Sequence, residues 1–323
     1  DDEIEAAREM GMRFHASRGS MSLGESAGGL PPDSVIDSPE NILKDSQRLI
    51  ERYHDPKYGS MLRVVLAPCS PFSVTADLMK ESAAMARHYG VGLHTHLAET
   101  QDEEQFCLEK FGYRPVSYMK SLDWVGEDVW FAHAVHINPE EVRTLAEVGS
   151  GVAHCPSSNM RLASGIAPIW EYLHAGVKIG LGVDGSASND SSHLLAEARI
   201  AMLVARVRAG LLGASLSAED APEIMTARKA LELATLGGAS VLGRDDVGSL
   251  SVGKCADFIA INMRQLPFAG AMSDPVAAVL FCAPVNVAYN FVNGKAVVRE
   301  GRLVNLEIET HVEQHNKAAL RLV

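Results

Sequence analysis

The sequence predicts an α/β protein: a (β/α)8 TIM-like barrel with a small β-sandwich lobe. Three observations carry that expectation. Apolar strand-length runs alternate with helical runs from about residue 12 to residue 209, which means a parallel sheet. Three of those runs end in a single polar side chain, His96, His133 and Asp184. Past residue 209 the pattern shifts to short β stretches around Asn293-Gly294, the strongest short hairpin signal.

In order, residues 1–9 read as an amphipathic helix, with no initiator methionine or signal peptide before it, and 12–16 as a strand. A Gly-rich loop covers 18–32, and Ser38-Pro39-Glu40 starts a helix to about Tyr53. Strands are expected at 62–67, 91–96, 129–133, 151–154 and 177–183. Helices are expected over 76–88, 103–111, 115–122, 139–147, 167–175 and 192–209. Asn138-Pro139-Glu140-Glu141 combines a cap, a first-turn proline and acids. With residues 12–16 this makes six strands where a closed barrel needs eight. At about 30 residues per βα unit, roughly 60 barrel residues would lie upstream of Asp1. A helix over 221–236 is expected to stop at Gly237-Gly238, with another turn over 239–242. Short strands at 258–261, 287–292, 296–298 and 303–304 precede a helix from about 309 to 320. The predicted organisation is a barrel over 1–246, incomplete at its N-terminus, a β-sandwich lobe with a helical return over 247–305, and a C-terminal helix over 306–323.

Composition narrows the partners. Of the 323 residues 47% are hydrophobic and 22% charged, so a large core can form. No apolar run approaches the roughly 18 residues of a membrane span. A net charge of −12 argues against nucleic acid, whose binding needs basic patches, and favours a small neutral or cationic substrate. Five widely spaced cysteines without a C-x-x-C pair fit a reducing cytoplasm better than a disulfide framework.

The chemistry concentrates at strand ends, where barrel enzymes place their sites. His96 can hold a divalent metal, and Glu99, three residues on, can move protons beside it. Asp184 follows the buried run Leu181-Gly182-Val183, where a carboxylate needs a metal or cation to compensate it. Gly185 is read as the residue that lets the chain turn. For Asp184 alone a helix N-cap is the rival reading, but three such groups at one barrel end are hard to explain as packing.

Those residues resemble a known family. His-Leu-Ala-Glu-Thr (96–100), Ala-His-Ala-Val-His (132–136), His-Cys-Pro-Ser-Ser-Asn (154–159) and Gly-Val-Asp-Gly-Ser-Ala-Ser-Asn-Asp (182–190) are similar to the amidohydrolase superfamily, guanine/cytosine-type branch. Arg-Gly-Ser-Met-Ser-Leu-Gly (18–24) and Ala-Pro-Cys-Ser-Pro-Phe-Ser (67–73) resemble the bacterial 8-oxoguanine deaminases within it. The resemblance implies one divalent metal, zinc or iron, with His96 and Asp184 as ligands. Asp184 would also take a proton from the attacking water. Glu99 would protonate a ring nitrogen, and His133 would polarise the water or stabilise developing charge. It further implies a homo-oligomer that converts 8-oxoguanine to urate and ammonia.

One departure stands out. The family's other two ligands form a His-x-His motif on the first barrel strand, and none lies in a suitable place. His94-Thr95-His96 has the spacing but falls on the fifth strand, where His94 is expected to face the barrel wall. These residues alone are therefore expected to be inactive. Cys69, Ser158 and Asn159 are candidate substrate contacts, each with packing or turn formation as its alternative. Arg161 is read as a carbonyl contact or a surface ion pair, His154 as structural and His136 as an ordinary loop residue. Two other functions stay open: the same machinery acting on guanine, isocytosine or a hydroxy-s-triazine, and a metal-free non-catalytic relative. The cytidine-type zinc deaminases need Pro-Cys-x-x-Cys, which is absent.

Overall fold

A computed structural model of the chain describes residues 1–213, 225–282 and 285–321. It opens with α1 (Asp2–Met10), β1 (Phe14–Ser20), α2 (Pro39–Tyr53), β2 (Leu62–Pro68), α3 (Ala76–Tyr89) and β3 (Gly92–Leu97). Next come α4 (Gln101–Phe111), α5 (Pro115–Ser121), β4 (Val129–His133), α6 (Pro139–Val148) and β5 (Gly151–His154). The layer ends with α7 (Pro156–Arg161), α8 (Ile169–Ala175), β6 (Lys178–Leu181) and α9 (Leu194–Leu211). Local chemistry sets many boundaries. Ser38, Thr75 and Thr100 each accept a backbone N–H from the first turn of α2, α3 and α4. α6 starts on a complete capping box between Asn138 and Glu141, with Pro139 in its first turn.

Strands β1 to β6 pair in chain order, each with its neighbour and always parallel. A doubly wound sheet would reverse its order at a switch point, so this unbroken order is that of a barrel wall. Side chains alternate between its faces. Val64, Leu66, Leu93, Leu97, Phe131 and Val152 join the main core under the helices, whereas Val65 and Trp130 cluster with Val241 on the other side. Because all six strands run the same way, their C-terminal ends share one edge.

The remaining helices are α10 (Ala227–Glu232), α11 (Gly238–Val241), α12 (Pro275–Phe281) and α13 (Ile308–Ala319). Four short strands, β7 (Phe258–Ala260), β8 (Tyr289–Val292), β9 (Lys295–Arg299) and β10 (Arg302–Leu303), form an antiparallel sheet in the order β10-β9-β8-β7. Asn293 and Gly294, both at positive φ (49° and 77°), make the expected hairpin turn between β8 and β9. This lobe is tied to the barrel by Arg13, whose guanidinium donates to both Asp257 oxygens at 2.6 and 2.9 Å.

Several expectations need correction. Part of the supposed Gly-rich loop is strand, because β1 stays in register with β2 through Ser20 and Pro68. α7 forms where the sequence predicts no helix, and α12 lies within the 247–305 span for which only an unplaced helical return was expected. Each begins on a proline, and Asp274 caps α12 through the Ala277 N–H. Gly237-Gly238 does not stop a helix. Helix α10 continues through a π-turn, Leu233–Gly237, directly into α11. The glycines serve close packing: a Cβ on Gly237 would sit 2.1 Å from the Ile179 carbonyl oxygen, and one on Gly180 2.8 Å from Gly238 Cα. The expected start of that helix, 221–224, lies outside the described residues.

Candidate active site

The shared sheet edge brings four predicted residues together. His96 comes from the end of β3, Glu99 from the turn after it, His133 from the end of β4 and Asp184 from the segment after β6. The rings of His96 and His133 stack with centroids 5.5 Å apart. His133 Nε2 lies 3.6 Å from Glu99 Oε2 and 3.8 Å from Asp184 Oδ2. The backbone is strained here. Ala98, His133, Ala134 and Asp184 all have positive φ, at 52°, 68°, 46° and 64°. Such conformations cost about 1–3 kcal/mol each and cluster at functional sites. The sharp turn assigned to Gly185 is made by Asp184 itself.

Each of these side chains is held from behind. His96 Nδ1–H donates to the Cys69 carbonyl at 2.6 Å, and Cys69 Sγ lies 3.7 Å from the same nitrogen. Burial works against a charge on His96, but these Cys69 contacts outweigh it and raise its pKa to about 9. Asp184 accepts hydrogen bonds from Ser158 Oγ (2.6 Å), Ser188 Oγ (3.2 Å) and its neighbour's N–H at Gly185 (2.6 Å). Burial alone would raise its pKa, yet these donors and the two histidines pull it below the usual carboxylate range. His133 Nδ1–H donates to Asn159 Oδ1 at 2.9 Å, which turns Nε2 towards Glu99 and Asp184. Hydroxyl and amide oxygen of Ser158 and Asn159 thus face site side chains; Asn159 Nδ2 is buried without a partner among the described residues.

Other histidines sort differently. His94 does not face the barrel wall. Strand alternation puts it on the same face as His96, 6.0 Å away and stacked on Trp130. Its burial and His96 push its pKa down to about 4, so it stays neutral. His154 is fully enclosed, with no partner for either nitrogen among the described residues. Arg161 pairs with Asp190 at the surface, and His136 Nε2–H donates to the Ser164 carbonyl.

Two buried carboxylates escaped sequence reasoning. Glu103 accepts the Ala98 and Glu99 N–H groups, while Glu197 accepts the Ser157 N–H at 2.8 Å and Asn189 Nδ2–H at 3.1 Å. Thr100-x-x-Glu103 is a capping-box pattern and a visible signal for the first. Nothing local marks Glu197.

The donor set fits part of a metal shell. With its Nδ1–H given to a carbonyl, the neutral form of His96 has its lone pair on Nε2, the arrangement outer contacts impose on metal-ligating histidines. Asp184 contributes a carboxylate at the same edge. Among the described residues no group of three or more His, Cys, Asp or Glu is placed to hold an ion.

The amidohydrolase family model matches residues 2–297. The chain belongs to the amidohydrolase family. As an amidohydrolase it is 47% identical over all 323 residues to 8-oxoguanine deaminase of Pseudomonas aeruginosa, spanning 69% of that protein. It is 38% identical over 310 residues, 95% of its length, to hydroxydechloroatrazine ethylaminohydrolase of a Pseudomonas strain, spanning 62% of that enzyme. In fold it is similar to the zinc-complexed atrazine chlorohydrolase of Arthrobacter aurescens, with a TM-score of 0.91, 33% identity, and coverage of 97% of this chain and 67% of that one. The chain thus spans about two thirds of the length of these relatives.

Proposed function

We propose that this chain carries most of the active site of a metal-dependent hydrolase that deaminates a purine-like heterocycle, 8-oxoguanine to urate and ammonia. The observation that carries the reading is the meeting of Glu99 and Asp184 around one face of His133, beside His96. The 47% identity to a named 8-oxoguanine deaminase supports the choice of substrate. Acid and base steps need two carboxylates in separate environments. Asp184, held below the usual range, is the base that takes a proton from the attacking water and passes it to the departing ammonia. Glu99, whose carboxylate also receives Ser164 Oγ at 3.5 Å, delivers a proton to the ring nitrogen beside the attacked carbon. His133, locked by Asn159, offers Nε2 to the charge developing between them.

His96 and Asp184 would hold a divalent ion, zinc by analogy with the relative's zinc complex, which would supply the Lewis acidity that brings the pKa of water towards about 7. We also assign Cys69, Ser158 and Asn159 to the substrate side of the site, 1–246 to the barrel, 247–305 to the lobe and 306–323 to a C-terminal helix. A cytoplasmic homo-oligomer without a nucleic-acid partner completes the proposal. No helix of the described residues is long and apolar enough to cross a membrane.

The test is ammonia release by the intact, metal-loaded protein, not by these residues alone, on 8-oxoguanine, guanine, isocytosine and a hydroxy-s-triazine. We expect 8-oxoguanine to react fastest and Glu99→Gln to lower its kcat by roughly 10²–10⁴-fold. A different base ranked first would move the substrate, and no release from any base would reject the reading.

A further inference from the structure

We propose that Glu103 is a positioning residue: from the first turn of α4 it fixes the turn that aims Glu99 and, through that turn, the loop carrying His133. The inference rests on the proton-donor role given to Glu99 above. Glu103 is 1% exposed. Its Oε1 accepts the Ala98 N–H at 2.7 Å and its Oε2 the Glu99 N–H at 3.0 Å. An ordinary capping-box glutamate reaches back only to the N-cap N–H, here Thr100. Glu103 reaches past it to the two preceding residues. A buried carboxylate needs compensation. No lysine, arginine or histidine forms an ion pair with Glu103 among the described residues, so those two N–H groups supply it.

What they hold is a strained knot. Ala98 sits at φ 52°, and its carbonyl accepts both the Val135 N–H (3.0 Å) and the His136 N–H (2.9 Å). Leu97 O accepts the Ala134 N–H at 3.1 Å, next to the positive-φ pair His133 and Ala134. Tyr172 OH closes the far side on Ala134 O at 2.6 Å. Strained residues persist only where their surroundings over-determine them. Glu103 is the side chain that grips both amides beside Glu99. Released, Ala98 can relax towards negative φ, and Glu99 moves with it. A misplacement of about 1 Å can cost roughly 100-fold in rate.

The experiment compares wild type, Glu103→Gln and Glu103→Asp as metal-loaded proteins. Readouts are kcat and KM for ammonia release, melting temperature, and amide hydrogen exchange in peptides covering 97–100 and 133–136. We expect Glu103→Gln to lower kcat roughly 10–100-fold with KM little changed. Exchange should rise in those two peptides and not across the rest of the sheet. Glu103→Asp, one methylene short, should show the same localised pattern to a smaller degree, and it decides the matter if the glutamine variant does not fold. Unchanged protection in those peptides overturns the proposal, as does loss of protection spread evenly over the sheet. The exchange readout stands even if no base yields ammonia, in which case the functional reading fails separately.

Discussion

Asn159→Leu tests how the site holds its histidine. Asn159 and His133 are 1% and 2% exposed, and the amide oxygen takes the His133 Nδ1–H at 2.9 Å. Leucine fills a similar volume but accepts nothing, so a buried donor is left without a partner. That costs about 1–3 kcal/mol. The histidine can recover the loss only by turning, and turning removes Nε2 from its place between Glu99 and Asp184. If the whole cost appears in the transition state, kcat falls by roughly 5- to 150-fold, at about 1.4 kcal/mol per tenfold. Asn159→Asp keeps an acceptor at the same place and should retain more activity than the leucine variant. The assay is initial-rate ammonia release on 8-oxoguanine, alongside a thermal melt to separate rate from fold loss. A leucine variant that folds and turns over within twofold of wild type would show that His133 is oriented by something else.

Packing and pH supply two further predictions. Gly237→Ala should destabilise by at least about 1–3 kcal/mol, since its Cβ would press on the Ile179 carbonyl from 2.1 Å; a melting temperature equal to wild type would contradict that contact. Burial lowers the pKa of His15, His94 and His154 from 6.5 to about 4, 4 and 3, so each stays neutral when folded and takes up a proton on unfolding between pH 6.5 and about 4. Burial raises Glu103 from 4.5 to about 7, which acts the other way, because there the folded form holds the extra proton. His96, raised to about 9, likewise holds its proton in the folded form and opposes the trend down to about pH 6.5, its unfolded value. Below that it drops out, three histidines outweigh one carboxyl, and stability falls as pH drops from about 6 to 5. Denaturant midpoints at the two pH values measure it, and a flat or opposite trend would refute the burial of these imidazoles.

Much of the site is legible in the order of residues along the chain. His96, His133 and Asp184 each follow an apolar strand run, and parallel strands must deliver their ends to one edge. Glu99 comes along as the near neighbour of His96. How these groups are oriented is not legible there. Ser158 and Asn159 read as substrate contacts because they follow a strand; that they also grip Asp184 and His133, across 26 residues of chain in each case, is not legible there. Gly237-Gly238 reads as a helix stop because glycine is the commonest cap there. Its actual role, making room for the β6 backbone, depends on a neighbour more than fifty residues away, which no local rule contains.

The sequence by itself determined the strand and helix order, the parallel sheet and the residue types at its functional edge, because those follow from periodicity and from the cost of ending a buried strand in a polar group. Only the tertiary structure decided that Asp184 and not Gly185 makes the turn, that His94 shares a face with His96, and that Glu103 and Glu197 grip the site's backbone. Such contacts depend on distances between segments far apart in the chain, and those distances exist only once the sheet has assembled.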